Sequence, residues 1–301
     1  MPMRMRLLAI LGLLIAGIAN AEIGYHVTPD LTSRSILVTV TLPQAGEKPE
    51  FRIPAWCPGF YTLKQYAQKI FDTKATDPDG NPLSVTNPDP RIWKVTNPKG
   101  GDVSFSYRVL GDDPGLGFFG VNVVSHTAFI NGPAGFVFVP NRKSEACRVR
   151  FTLPDKWEIA TGMQGNNADG FLSGDYDELI DHPFQLGTFE KRQFTLRDIP
   201  FEVIFVSPTG QFQCDFDQET AWLKMLSEPA IEMMGGAPFK RYVYILHLAV
   251  GNFGGGLEHR ASTVINITNS KVLALGDLAA HEFFHSWNVK QIRPIELGPF
   301  D

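Results

Sequence analysis

The pentad His281-Glu282-Phe283-Phe284-His285 combines residue types and a spacing that suit a catalytic metal site. On an α-helix, residues four apart lie on the same face, so His281 and His285 can present two imidazoles to one ion. Glu282 lies about 100° further round, where its carboxylate can take a proton from a water at the metal without binding the metal itself. The alternative is a surface helix with two histidines, but with 7 histidines in 301 residues chance predicts under about 0.01 such matches. We therefore predict that His281 and His285 bind Zn²⁺ and that Glu282 is the general base.

A second candidate site precedes the pentad in the stretch GNFGGGLEHRAST. Glycines after a strand, here Gly255 and Gly256, let another backbone approach closely, as a peptide substrate would. Glu258 could then hold the α-ammonium group of the peptide, whose main chain would pair with this edge strand. Taken alone, the stretch also fits a hairpin turn followed by a surface glutamate and histidine. Its position 23 residues before His281 favours the substrate-binding interpretation.

The elements that must position these residues are of two kinds. From Gly24 to about Val206, short alternating runs are separated by clusters of Pro, Gly, Asn and Asp, which predicts the strands and turns of an antiparallel β-sandwich. After Ser207 the pattern changes to a helical period, with Asp215 or Asp217 as the N-terminal cap, a stop at Gly235 or Gly236, and a kink or division at Pro229.

Two further strands are predicted after that helix, in the segments KRYVYILHLAV and ASTVINI, with a tight turn at GNFGGG between them. The segment that carries the pentad is predicted to be helical until Pro294. The predicted fold class is therefore α+β. An N-terminal β domain over residues 22–207 is followed by the first part of a mixed catalytic domain over residues 208–301.

The first residues have the organisation of a secretory signal peptide. Arg4 and Arg6 precede a 12-residue apolar run, Leu7–Ile18, and the small-x-small site Ala19-Asn20-Ala21 follows. A membrane anchor is the alternative, but a spanning helix needs about 20 apolar residues. We predict cleavage after Ala21 and a secreted or periplasmic protein that begins at Glu22, with no membrane span after the cleavage.

The composition of residues 22–301 excludes some classes of partner. Without Arg4 and Arg6, 25 basic side chains face 32 acidic ones, a net charge of −7, and no basic run is present, so nucleic acid is not an expected partner. Three cysteines allow at most one disulfide and do not make a disulfide scaffold; these are Cys57, Cys147 and Cys214.

The two candidate sites together carry a family resemblance. GGLEHRAST followed by HEFFHSWNVKQIRP resembles the glycyl aminopeptidase family, metallopeptidases that usually carry a C-terminal PDZ domain. The segment IPAWCPGFYTLKQYA is similar to the Trp-x-Pro-Gly-x-Tyr segment of that family, here at Trp56, Pro58, Gly59 and Tyr61, and we interpret it as structural.

This resemblance implies a β-rich N-terminal domain and a thermolysin-like catalytic domain. It implies zinc ligands at His281 and His285, a general base at Glu282, and a grip on the N-terminus of a peptide substrate by Glu258 with Gly255 and Gly256. Small N-terminal residues in the substrate are implied by the resemblance alone.

The third zinc ligand of the family is a glutamate on the next helix, and only 16 residues follow His285. Glu296 is the one carboxylate between His285 and Asp301, beyond the break expected at Pro294, and is a weak substitute. The expectation is therefore an aminopeptidase chain that is truncated before its third ligand and inactive alone. The alternatives are an exported, non-catalytic peptide-binding module or a gene fragment of a metallopeptidase.

Overall fold

Strands dominate the structure, and helices are few. The computed structural model describes residues 22–60, 62–212, 214–248, 254–267 and 276–294. Within these ranges nineteen strands form three sheets. The predicted α+β class, with β structure first and mixed structure after it, is therefore confirmed.

The first fourteen strands build two sheets. A ten-stranded sheet has the order β12-β13-β10-β1-β2-β7-β4-β5-β6-β3, and a four-stranded sheet has the order β11-β14-β9-β8. Neighbouring strands are antiparallel except β1 and β10, which are parallel. In chain order the strands are β1 (Ile23–Asp30), β2 (Ser35–Leu42), β3 (Glu50–Arg52), β4 (Ile70–Thr76), β5 (Pro82–Asp89), β6 (Ile92–Thr96), β7 (Val103–Leu110), β8 (Val121–Val124), β9 (Thr127–Ile130), β10 (Cys147–Phe151), β11 (Glu158–Ala160), β12 (Gln164–Asn166), β13 (Gly170–Ser173) and β14 (Phe184–Gly187).

The alternation of apolar and polar residues explains these strands. In β7 every second side chain is buried, and these are Val103, Phe105, Tyr107 and Val109. Side chains of a strand point alternately to its two faces, so the sequence VSFSYRVL directs one apolar face inward. The buried Tyr107 hydroxyl donates to the Gly135 carbonyl at 2.8 Å, which satisfies the polar end of that side chain.

The third sheet carries the residues of the second candidate site. Its strands are β15 (Glu190–Leu196), β16 (Ile199–Val206), β17 (Tyr242–Leu248), β18 (Gly255–Glu258) and β19 (Ser262–Ile267), in the order β15-β16-β17-β19-β18. β16, β17 and β19 are parallel, and β17 and β19 are almost wholly buried. β18 is antiparallel to β19 at the edge of the described sheet. β15 and β16 precede residue 208 yet pair into this sheet, and the division of the chain at 207 stays a prediction.

Two longer helices lie beside the third sheet. The N-terminal cap of α3 (Phe216–Met233) is Asp215, whose side chain accepts from the backbone N–H groups of Asp217 and Gln218. Asp215 was one of the two predicted caps. The predicted division at Pro229 is wrong, because α3 runs through this residue, which lies on its exposed side. The shorter helical elements are α1 (Gly132–Gly135), α2 (Tyr176–Ile180) and 3-10 turns at Tyr66–Lys69 and Pro140–Arg142.

α4 (Gly276–Phe284) is shorter than the predicted helix. Residues 285–292 form turns instead, in which the N–H groups of Lys290 and Ile292 reach back five residues to the carbonyls of His285 and Trp287. The N–H groups of Ser286 and Trp287 reach back only three residues, to the carbonyls of Phe283 and Phe284, and this mixture of bond spacings ends the regular helix well before Pro294. Residues 268–275, predicted to begin the helix, lie outside the described ranges.

Two hydrophobic cores share the third sheet. Alternate side chains of β16 and β17 face the β-rich core, among them Ile204, Val206, Val243 and Ile245. The intervening side chains face α3 and α4, among them Val203, Phe205, Tyr242 and Tyr244. Phe283 of α4 enters this second core, with its ring centroid 4.9 Å from that of Tyr242.

Two further findings concern the helices and the cysteines. Among the described residues, no helix combines the length and apolar character needed to cross a membrane. Cys57, Cys147 and Cys214 are all free thiols. Burial raises the pKa of the Cys57 thiol to about 11.

Candidate active site

The two predicted zinc ligands face each other. Phe283 and Ala279 bury one side of α4, which leaves His281 on a different face, and His285 follows directly after the helix. The Nε2 atoms of His281 and His285 lie 3.0 Å apart. Two Zn–N bonds of about 2.0–2.1 Å at a tetrahedral angle place their nitrogens about 3.4 Å apart. A small rotation of either ring therefore makes room for a shared ion.

The tautomer of His285 is also suited to a metal. Its Nδ1 lies 2.6 Å from the carbonyl oxygen of Asn288, so the ring donates its Nδ1–H to that carbonyl. A neutral imidazole protonated at Nδ1 has its lone pair on Nε2. The Asn288 carbonyl thereby orients the ring and directs Nε2 towards the site, as outer partners of metal-binding histidines do.

Glu282 is the predicted general base and lies in a poorly hydrated position. Its residue exposure is only 5%. Burial, and then the nearby Glu258 carboxylate, raise the pKa of Glu282 to about 7, while Lys290 acts in the opposite direction. A carboxyl group with a pKa near neutrality can both accept and return a proton, which is the property required of a general base.

The edge strand β18 lies directly against Glu282. A Cβ atom placed on Gly256 would lie 2.2 Å from Glu282 Cγ, so only a glycine fits this position of the strand. A Cβ atom on Gly255 would lie 4.0 Å from Phe118 Cζ, an ordinary contact. Side-chain atoms of Glu258, Glu282 and His285 that could bind a cation all lie within 4.8 Å of one another. The structure therefore brings the two candidate sites together.

Gly59 is a residue of this site that the sequence reasoning assigned to structure only. It has φ +84°, and a Cβ atom there would lie 2.5 Å from Glu258 Oε2. The Trp-x-Pro-Gly-x-Tyr segment thus reaches the second candidate site, although Tyr61 is outside the described ranges. A glycine between a proline and an aromatic residue was the available signal, since such a glycine suits a tight turn.

A buried ion pair beside the site was also absent from the sequence predictions. Lys290 Nζ donates to Asp181 Oδ1 at 2.8 Å, and the two side chains are 4% and 3% exposed. His259 Nδ1 lies 3.6 Å from the same oxygen. Burial alone would raise the pKa of Asp181, but Lys290 and His259 hold it below its usual range. This pair ties the turn after His285 to the segment after α2.

The donor set fits zinc rather than a hard cation. Two imidazoles in the described part of the site offer nitrogen ligands, and the nearby carboxylates can bind a cation or take part in proton transfer. The predicted substitute ligand, Glu296, lies outside the described residues. The structure brings the six predicted site residues close together, but their roles stay predictions. These residues are His281, His285, Glu282, Glu258, Gly255 and Gly256.

Comparison with known proteins decides the family. Residues 24–188 match the profile of the Peptidase M61 N-terminal domain, and residues 274–301 match that of the M61 glycyl aminopeptidase. The chain belongs to the M61 peptidase family. No curated protein matches the sequence closely enough to count as a relative. The M61 assignment confirms the resemblance on which the sequence predictions rested.

Solved structures support the M61 fold. An aminopeptidase N family protein from Idiomarina loihiensis superposes with a TM-score of 0.84 at 27% identity, over 93% of this chain and 50% of that one. An M1 zinc metallopeptidase from Deinococcus radiodurans superposes with a TM-score of 0.51 at 17% identity, over 88% of this chain and 63% of that one. At that identity the second likeness concerns the fold alone. The M61 chain thus spans about half the length of the first of these proteins.

Proposed function

We propose that this M61 chain carries the metal-binding and substrate-binding residues of a zinc-dependent aminopeptidase, in the first part of a thermolysin-like catalytic domain. The carrying observation is the separation of at most 4.8 Å between ligand atoms of Glu258, Glu282 and His285. A peptide chain advances about 3.3–3.8 Å per residue. If Glu258 holds the α-ammonium group, only one residue therefore fits between that group and a carbonyl at the metal-binding atoms.

His281 and His285 would hold the zinc through their Nε2 atoms. Zinc bound there would polarise the carbonyl of the scissile bond and lower the pKa of a water beside it. A third protein ligand is not assigned among the described residues. With the family resemblance, we propose that this third ligand is a glutamate.

The protein's own side chains perform the other steps. Glu258 pairs with the α-ammonium group of the peptide, and β18, the last strand in the order of the described sheet, pairs with its main chain. Glu282 takes a proton from the attacking water and returns it to the leaving amine.

The test uses the protein that contains this chain, loaded with zinc. Glu282→Gln should keep zinc and lose about 10²–10⁴-fold in kcat, because an amide cannot accept the proton. Glu258→Gln should lower kcat/KM about 10–100-fold for peptides with a free α-amino group, since a charged hydrogen bond contributes about 1.5–3 kcal/mol. N-acetylated peptides lack that charge, so their residual hydrolysis should not change.

Glu219→Gln is the matched control, because Glu219 is also 5% exposed but lies in the first turns of α3, beside Asp215 and Cys214. Glu219→Gln should leave the hydrolysis of both free and acetylated peptides unchanged. His285→Ala should lose the zinc. Equal losses on free and acetylated peptides after Glu258→Gln would contradict the aminopeptidase assignment and favour an endopeptidase. Stoichiometric zinc in the 301-residue chain after prolonged dialysis against a chelator would show that its third ligand lies within this sequence.

A further inference from the structure

We propose that Gly59 is a positioning residue for Glu258, and that the turn Cys57–Phe60 is the wall behind the N-terminus of the substrate. The wall rests on the proposed function, whereas the positioning role of Gly59 does not. Gly59 has φ +84°, and a Cβ atom there would lie 2.5, 2.7 and 2.8 Å from Oε2, Cδ and Oε1 of Glu258. All three distances are shorter than van der Waals contact allows. A side chain at position 59 would therefore have to displace the carboxylate of Glu258.

The turn is held firmly by the β domain. The Phe60 N–H donates to the Cys57 carbonyl at 3.1 Å. Asn131 Nδ2 donates to the Cys57 sulfur at 3.2 Å and to the Phe119 carbonyl at 3.1 Å. The ammonium group of Lys64 lies 3.9 Å from the ring centroids of both Phe60 and Phe119. A surface fixed by sulfur, amide and cation–π contacts can set the position of a neighbouring carboxylate.

The loop that carries Phe119 is held by the carboxylate of Asp113. The Asp113 carboxylate accepts from the backbone N–H groups of Phe118, Phe119 and Gly120 at 2.7, 3.1 and 3.0 Å. Phe118 of this loop is the side chain closest to the space above Gly255. The turn beside Glu258 and the aromatic loop beside Gly255 are therefore linked, through Asn131 and Lys64.

This arrangement limits what can precede the first residue of a peptide. An α-ammonium group at Glu258 would be within reach of the Gly59 backbone on the side away from the peptide's own chain. A peptide extended by one more residue would have to occupy the space of the turn. The β domain thus supplies a steric stop, while Glu258 supplies the charge.

Gly59→Ala tests the positioning role, with Gly80→Ala as its control. Gly80 has nearly the same backbone, φ +83°, but nothing lies within 4 Å of a Cβ atom placed there. Both variants bear the strain of an alanine at positive φ, and only the first displaces Glu258. Gly59→Ala should lower kcat/KM for a glycyl reporter about 10–100-fold, the loss expected when a charged hydrogen bond is misplaced. Gly80→Ala should stay within about twofold of the wild type.

A double variant separates positioning from general damage. In the Glu258→Gln background, Gly59→Ala should cost less than about threefold, because the interaction it disturbs is already lost. A loss of the same size in both backgrounds, or an equal loss from Gly80→Ala, would overturn the positioning role. A crystal structure of Gly59→Ala is independent of activity: a displaced Glu258 carboxylate supports the role, and an unmoved one overturns it, even if the protein hydrolyses no peptide.

The wall itself is tested on the unaltered protein. An N-methylglycyl reporter keeps the positive charge of the amine and adds one methyl group. With the wall in place, its kcat/KM should fall at least tenfold below that of the glycyl reporter. Similar rates for the two would overturn the wall. Hydrolysis of neither reporter would count against the proposed aminopeptidase function, and the Gly59→Ala structure would still decide the positioning role.

Discussion

Replacing Lys290 by methionine should destabilise the protein far more than an ordinary surface change. The side chains of Lys290 and Asp181 are 4% and 3% exposed, and Lys290 Nζ lies 2.8 Å from Asp181 Oδ1. Methionine keeps much of the apolar length of lysine, so the main loss is the charge. Asp181 would then be a buried carboxylate without its closest cation, beside a histidine whose own pKa is lowered by burial.

The structure offers a second lysine–aspartate pair of the same length for comparison. Lys69 Nζ lies 2.7 Å from Asp112 Oδ2, but these side chains are 47% and 38% exposed. Breaking a buried pair from one side costs about 3–5 kcal/mol. An exposed pair contributes about 0.2–1 kcal/mol. Lys290→Met should therefore lower the free energy of unfolding several times more than Lys69→Met.

Urea unfolding at pH 7 measures both variants, together with Asp181→Asn and the double variant. The double variant removes both charges, so it should be at least about 1.5 kcal/mol more stable than the sum of the two single losses predicts. Additive losses would show that the pair has no direct interaction. A Lys290→Met loss no larger than that of Lys69→Met would refute the argument from burial.

Two further predictions concern the active site and the compartment. Because burial and Glu258 raise the pKa of Glu282 from 4.5 to about 7, the folded metal-free protein holds a proton that the unfolded chain releases, so the free energy of unfolding should fall as the pH rises from 4.5 to 7. Glu282→Gln should remove this fall, and urea unfolding at pH 5 and 8 measures it; an identical pH dependence in the variant would contradict the raised pKa. The exported protein should begin at Glu22, and N-terminal sequencing that finds Met1 instead would contradict the predicted signal peptide.

Local patterns predicted much of this fold. Alternation in segments such as VSFSYRVL identified strands, because one apolar face must be buried. Asp215 was one of two proposed caps of α3, and its carboxylate does accept two backbone N–H groups there. The spacing of His281 and His285 placed their rings together. Each of these predictions depends on residues that are close in the chain.

The failures depend on context that the local sequence does not contain. Pro229 was expected to kink or divide α3, and it does not divide the helix, because its position on the exposed side leaves the buried face intact. The regular helix ends at Phe284, just before His285, whose Nδ1–H binds the Asn288 carbonyl, and the backbone bonds that follow have mixed spacings. The contact of Gly59 with Glu258, and that of Lys290 with Asp181, join segments far apart in the sequence. Such contacts are set by the topology of the sheets, which no local pattern specifies.

The third sheet has a consequence for how the molecule loses its structure. Its strands β16 and β17 send alternate side chains into the β-rich core and into the core that holds α3 and α4. If either core unfolded, one face of β16 and β17 would be exposed to water, although the other face of the same strands is part of the other core. The two cores should therefore stabilise each other, so that damage to the β-rich core also weakens the packing of the helix that carries His281.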